Sequence, residues 1–258
     1  MRPLLEAALK ATRAGETVAL ATIVRAQGST PRATGAKMLV FRDGTIKGTI
    51  GGGEMERRVI EEAKSALESG QPRMVHYSFR EVEQGDVGVC GGENDVFIDV
   101  IGPSKELLII GAGHVGQAVA QLGEFLGMDC IVFDTRPEYA NQERFPRARQ
   151  IIVGPVGQEL GQYPITRQSY VDIVTRGHLQ DSEALEVVVR SPAAYIGMIG
   201  SRRKTLRVLE MMKAQGIEQE LLDRVHAPIG LEIGAETPEE IAVSIMGQII
   251  ATMRCGAR

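Results

Sequence analysis

Leu107-Leu108-Ile109-Ile110-Gly111-Ala112-Gly113-His114-Val115-Gly116 joins an aliphatic run to three glycines spaced G-x-G-x-x-G. Such an aliphatic run predicts a strand buried on both faces. Each glycine has its own task in this motif. Gly111 permits a tight turn, Gly113 lets backbone approach a pyrophosphate, and Gly116 lets the next helix pack close to the strand. The pyrophosphate would rest on free amides at that helix's N-terminus. The sequence predicts the helix over 117–126, then a strand Cys130-Ile131-Val132-Phe133 ending in Asp134. An acid about 20 residues past the glycines is where a ribose 2'-hydroxyl is held. The expected crevice is therefore lined by Gly111, Gly113, His114, Gly116 and Asp134.

Downstream, strand and helix keep alternating. Strands are predicted over 150–153, 170–174 and 195–199, and a helix over 182–189. Ser201 opens another helix, followed by the cations Arg202, Arg203 and Lys204. Thr237 and Pro238 form an N-cap and N1 pair for a last helix. Ile241, Ile245, Ile249 and Ile250 are expected on its buried stripe. This alternation implies a doubly wound parallel sheet.

Upstream, strands dominate. They are predicted over 17–25, 36–41, 45–50, 73–79 and 94–101, with Arg42-Asp43-Gly44 as a hairpin turn. Gly51-Gly52-Gly53 leads into a helix over 54–69 whose apolar face is Met55, Val59, Ile60, Ala63 and Leu67. Gly102-Pro103-Ser104 reads as a linker. The expected organisation is an α/β chain. A smaller α+β domain, 1–103, precedes a C-terminal Rossmann-like domain, 104–258.

The chain has 258 residues and a formal net charge of −4, without long basic runs. That argues against binding driven by nucleic-acid phosphate. No apolar run approaches the ~20 residues of a membrane span, and residues 1–14 lack a signal-peptide core. A cytoplasmic protein without a membrane role is expected. Cys90, Cys130 and Cys255 are odd in number and widely spaced, which excludes a disulfide framework.

Six segments can carry chemistry. Gly28-Ser29-Thr30-Pro31-Arg32 offers hydroxyls and a forked cation suited to phosphate. Gly51-Gly52-Gly53 with Glu54 and Glu56 is either an amide cradle or a tight strand-to-helix turn. Val89-Cys90-Gly91-Gly92 leaves a thiol uncovered between glycines, whereas Cys130 lies in a strand core. Thr175-Arg176-Gly177-His178 with Asp181 lies past the C-terminal end of a strand, the edge where ligands bind in open α/β sheets. His114 and His178 are expected to face one crevice there. Gly197-Met198-Ile199-Gly200-Ser201-Arg202-Arg203-Lys204 is a second glycine-flanked junction, and His226-Ala227-Pro228-Ile229-Gly230 a rigid loop whose histidine faces the same crevice. No hydride-transfer apparatus, P-loop or H-E-x-x-H motif accompanies them.

Together these segments, with Gly35-Ala36 and Gly234-Ala235-Glu236-Thr237-Pro238-Glu239-Glu240-Ile241, resemble the XdhC/CoxI family. These are maturation factors for molybdenum hydroxylases such as xanthine dehydrogenase. The resemblance runs from about residue 15 to 250, in the family's order. It implies a chaperone that binds molybdenum cofactor, as molybdopterin or its cytosine dinucleotide. Such a protein supports oxo-for-sulfido exchange with sulfur from a cysteine desulfurase, then passes the cofactor to an apo molybdenum hydroxylase. The expected site combines Ser29, Arg32, Gly52, Gly53 and Glu56 with the glycine crevice, His178, Ser201 and Arg202. Cys90 is the expected contact for sulfur or molybdenum, since a thiolate suits soft partners. Many relatives have Cys where this chain has Glu54, and some have His where it has Arg176. A homodimer and a non-catalytic role are expected. The competing readings are an NAD(P)-dependent oxidoreductase and a redox-responsive nucleotide sensor.

Overall fold

The computed structural model describes residues 1–28, 30–78 and 92–255, without the side chains of His178 and Cys255. The chain divides into two compact units, Met1–Pro103 and Ser104–Arg258.

The first unit runs α1 (Arg2–Arg13), β1 (Val18–Gln27), β2 (Lys37–Val40), β3 (Ile46–Gly48), α2 (Gly53–Ser69), β4 (Arg73–Ser78) and β5 (Glu93–Ile101). Its described strands form an antiparallel sheet in the order β3-β2-β1-β5-β4. Side chains on a strand alternate between faces. Ala19, Ala21, Ile23, Met38, Val40, Val96 and Ile98 thus pack with Met55, Val59, Ala63 and Leu67 of α2. Val18 and Leu39 face the other way and pack with Ala8 and Ala11 of α1. Gly70, left-handed at φ 66°, terminates α2 where a side chain would be strained.

The second unit runs β6 (Glu106–Ile110), α3 (His114–Phe125), β7 (Asp129–Asp134), β8 (Gln150–Val153), α4 (Val156–Gln162), β9 (Ser169–Ile173), α5 (His178–Val188), β10 (Tyr195–Met198), α6 (Arg202–Ala214), α7 (Gln219–Leu222), β11 (Val225–His226) and α8 (Pro238–Cys255). Its described strands are all parallel, in the order β11-β10-β9-β6-β7-β8. This is a Rossmann-like doubly wound sheet. Leu107, Ile109, Cys130 and Val132 pack with α3 and α8, and Leu108, Ile110, Ile131 and Phe133 with α4, α5, α6 and α7. Strand order reverses between β6 and β9, so a crevice opens at the C-terminal ends of those two strands.

Several boundaries differ from the sequence reading. α3 begins at His114, three residues before the apolar periodicity starts, because Gly113 already serves as N-cap. α5 likewise begins at His178. Ile250 of α8 is 40% exposed, and the buried stripe runs through Ala242, Ile245, Met246 and Ile249. At 3.6 residues per turn, Ile250 lies about 100° from Ile249 and leaves the stripe.

Candidate functional site

The loop between β6 and α3 is fixed by contacts its glycines alone permit. Gly111 has φ +116°, and a Cβ there would lie 2.6 Å from the Val174 carbonyl oxygen. A Cβ on Gly116 would lie 2.0 Å from the Gly111 carbonyl oxygen, so α3 starts hard against its own loop. Gly113 differs. Nothing lies within 4 Å of its Cβ position, and its φ of −71° suits any residue. It caps α3 with no side chain, so the first-turn amides receive no acceptor from the cap. His114, the first helical residue, is exposed.

Asp134 holds this loop. Its carboxylate accepts the Ala112 amide at 2.8 Å, the Arg136 amide at 3.0 Å and two guanidinium hydrogen bonds from Arg136 at 2.9 Å. Burial pushes the Asp134 carboxyl up, but the donors on Arg136 and Ala112 outweigh it and hold it below the usual carboxylate range. The other side of the same peptide is held too. Arg144 donates to the Ala112 carbonyl at 3.3 Å and to Gln117 Oε1 at 2.8 Å. Three guanidinium groups gather on the Tyr139 ring, with carbon-to-centroid distances of 4.0 Å for Arg136, 5.3 Å for Arg144 and 5.4 Å for Arg176. Each is within reach of the ring quadrupole. Neither Tyr139 nor Arg144 stands out in the sequence. The only signal for them was an R-x-x-Y-x-x-x-x-R spacing after an acid-terminated strand.

The β9 edge is built by a buried relay. Thr175 donates to Asp181 Oδ1 at 2.5 Å, with the Gly177 carbonyl oxygen 3.1 Å from the same hydroxyl. Lys204 Nζ lies 2.5 Å from Asp181 Oδ2, an ionic contact off the hydrogen-bonding direction. Asp181 is wholly buried. Lys204 therefore ties the start of α6 to the start of α5 and is not available to a ligand. Ser201 caps α6 through the Lys204 amide at 3.3 Å, and Arg202 pairs with Glu232 on the surface. His178 starts α5 beside this relay.

His226 does not face the crevice as expected. Its ring stacks on Tyr195 with centroids 4.8 Å apart, and burial pushes its pKa down. Cys130 is enclosed, and burial pushes its thiol up to about 12, so it is inert.

In the first unit, Gly51, Gly52 and Gly53 all have positive φ. The amide nest they form is already filled. Glu56 Oε2 accepts from Thr49 Oγ1 at 2.5 Å, Ile50 N at 3.1 Å and Gly52 N at 3.3 Å. A Cβ on Gly51 would meet Pro31 at 2.9 Å, which places the Pro31-Arg32 segment on this turn. Arg32 is exposed. Glu54 forms ion pairs with Arg57 and Arg58. Ser29 and Cys90 lie outside the described residues. Among the described residues, no group of three or more His, Cys, Asp or Glu is placed to hold a metal ion.

Two family models match this chain. The XdhC Rossmann domain covers residues 107–249, and the XdhC and CoxI family covers residues 11–78. The chain belongs to the XdhC/CoxI family. Uncharacterized protein YqeB of Escherichia coli is 42% identical over 90% of this XdhC-type chain and 43% of its own length. A Bacillus subtilis protein named as a probable xanthine dehydrogenase subunit is 32% identical over 62% of this chain and 46% of its own. The chain thus spans less than half the length of these two curated relatives. The molybdenum cofactor insertion chaperone PaoD of Escherichia coli is 20% identical over 96% of this chain and 87% of its own. A crystal structure described as a xanthine dehydrogenase from Bacillus halodurans shares the fold. Its TM-score is 0.56 at 23% identity, over 99% of this chain and 97% of its own. No helix among the described residues is long and apolar enough to cross a membrane.

Proposed function

We propose that this protein is a molybdenum cofactor chaperone. It receives the cofactor as cargo and passes it to a molybdenum hydroxylase of xanthine dehydrogenase type, without turning over a small molecule of its own. The observation that carries this reading is the uncapped N-terminus of α3. A glycine occupies the one position where Ser, Asp or Asn normally satisfies the helix amides, and the space above it is open. Free amides at the positive end of a helix dipole suit the phosphate of a pterin cofactor. The family membership of both halves of the chain, and the relative named as an insertion chaperone, support the same cargo.

Within this reading His114, His178 and Ser201 of the second unit contribute to holding the pterin and its phosphate, and Arg32 and Gly53 are the candidates that the first unit offers on its own. Cys90 is the soft donor for molybdenum or for sulfur delivered by a cysteine desulfurase. Gly52 and Glu56 act indirectly, because Glu56 fills the nest that Gly52 helps to form. The chaperone works as a cytoplasmic homodimer, and light scattering at micromolar concentration checks its mass.

The test is Gly113→Asp. An aspartate fits this N-cap without strain and would bond to the amides itself, occupying the cradle. Protein purified from a molybdenum-replete host should show pterin fluorescence after oxidation. The Gly113→Asp protein, folded by circular dichroism, should lose at least nine tenths of it. Full retention would move the cargo site to the Arg32 and Cys90 segments, where Cys90→Ala becomes the decisive variant for client activation.

A further inference from the structure

We infer that the corner of the crevice beside Asp134 is built for a phosphate monoester and rejects a free ribose diol. The inference rests on the reading that the crevice holds a phosphate-bearing cargo, and it names the chemistry that the corner selects. In a dinucleotide crevice the acid ending the second strand accepts hydrogen bonds from the ribose hydroxyls. Asp134 stands at that position, with its side chain 5% exposed. Its two oxygens already accept from Ala112 N, Arg136 N, Arg136 Nε and the Arg136 terminal nitrogen. A diol would have to displace a bidentate guanidinium and release the glycine loop. Arg136 therefore closes the diol site and presents a cation in its place.

The surroundings extend the cationic character. Arg136, Arg144 and Arg176 converge on Tyr139. The carboxylates of Asp134 and Glu138 act on Arg136. Arg144 has neutral partners, the Ala112 carbonyl and Gln117, and its buried Nε has none. Among the described residues Arg176 forms no hydrogen bond or ion pair, only its contact with Tyr139. Asp134 neutralises Arg136 and the Tyr139 ring faces all three guanidinium groups, so Arg144 and Arg176 are the two cations of the cluster that no carboxylate among the described residues pairs with. A phosphate monoester brings up to two negative charges and several acceptors, and a fork of guanidinium donors matches it. Because Arg144 reaches Ala112, the cluster borders the free amides of α3, so cations and amides serve the same ligand. Two sources share this chemistry: the terminal phosphate of a pterin and the 2'-phosphate of a nucleotide.

Calorimetric titration of the full chain at low salt with two matched pairs of probes separates them. One pair is 6-hydroxymethylpterin and its phosphate, the other 5'-AMP and adenosine 2',5'-bisphosphate. The added phosphate should tighten binding about tenfold or more in at least one pair. Arg176→Ala, at an exposed side chain that holds no other element, should remove most of that gain and leave the unphosphorylated probe unchanged. A gain in the pterin pair supports both the corner and the cargo. A gain in the nucleotide pair alone supports the corner and overturns the pterin reading of the crevice. No gain in either pair, or a gain that survives both Arg176→Ala and the double variant with Arg136→Ala, overturns the corner. Pterin retained by the purified protein would then leave the proposed function standing.

Discussion

Asp134 Oδ2 accepts the amide hydrogen of Ala112 at 2.8 Å, so the acid closing one strand shapes the turn that leaves its neighbour. Asp134→Ala removes four acceptor contacts from a buried position and leaves the half-buried Arg136 unpaired. About 2–3 kcal/mol of stability should go with them. For a unit of this size that lowers Tm by roughly 5–10 °C. Asp134→Asn, which keeps an acceptor for Ala112, should cost less. The sign with pH follows from a carboxyl held below its unfolded value. Its contribution is present above about pH 4 and is lost as pH falls through the folded pKa. Thermal melts of both variants between pH 2 and pH 7 check this, and an Asp134→Asn protein with wild-type acid sensitivity would contradict it.

Gly113 and Gly116 should respond oppositely to a single methyl group. Gly116→Ala drives Cβ to 2.0 Å from a backbone oxygen that cannot swing away, and the loop must deform. A loss of about 2–4 kcal/mol is expected. Gly113→Ala meets empty space at an ordinary φ and should melt within about 2 °C of wild type. Equal Tm values for the two variants would show that the loop is softer than its contacts indicate.

Lys204→Met strands the wholly buried Asp181 carboxylate, with Thr175 as its remaining partner. Breaking one side of a buried pair costs about 3–5 kcal/mol. Replacing both members, Lys204→Met with Asp181→Leu, should recover much of the loss, because the stranded charge is gone. Chemical denaturation of the single and double variants reads out the coupling. Simple additivity would mean that the pair contributes nothing beyond its separate packing.

Asp172 is the fourth of the five residues of β9, wholly buried, opposite Ile109 and Gly197, and neither carboxyl oxygen has a hydrogen-bond partner. Burial pushes its pKa well above the usual carboxylate value. The folded chain therefore holds a proton there that the unfolded chain has released. Stability should fall as pH rises above about 4, by about 1.4 kcal/mol per pH unit until the folded pKa is reached. Asp172→Asn removes that slope, so it should be more stable than wild type at pH 7 and match it near pH 4. Urea melts at the two pH values decide the matter.

Much of the second unit was legible because its strands are apolar runs and its helices carry a clear period. Leu107 to Ile110 and Cys130 to Phe133 are examples. The elements that the sequence does not announce lack a period. α4 contains Gly157 and Gly161 and buries only Val156 and Leu160, so its pattern is too short to register. β11 is two residues long and exists through its pairing with β10. The acid at position 134 was placed by spacing, but spacing is silent on the direction of its hydrogen bonds. Arg136, two residues later, occupies both carboxylate oxygens of that acid. Tyr139 and Arg144 lie in an irregular segment where neither helix nor strand period marks a face, so their convergence with Arg176 needed the fold. In the first unit the triple glycine read equally as an amide cradle or a tight turn, because the sequence does not reveal that Glu56, three residues into the helix, turns back to fill it.

The reversal of strand order between β6 and β9 also bears on inheritance. Arg144 and the glycine loop come from one side of it, Arg176 and the Thr175 relay from the other. A recombination break between β8 and α4 would divide the arginine cluster on Tyr139 and leave each fragment with an exposed sheet edge. The unit from β6 to α8 should therefore travel between genes as one indivisible cassette, free to gain or lose companions at its ends but not to be shuffled within.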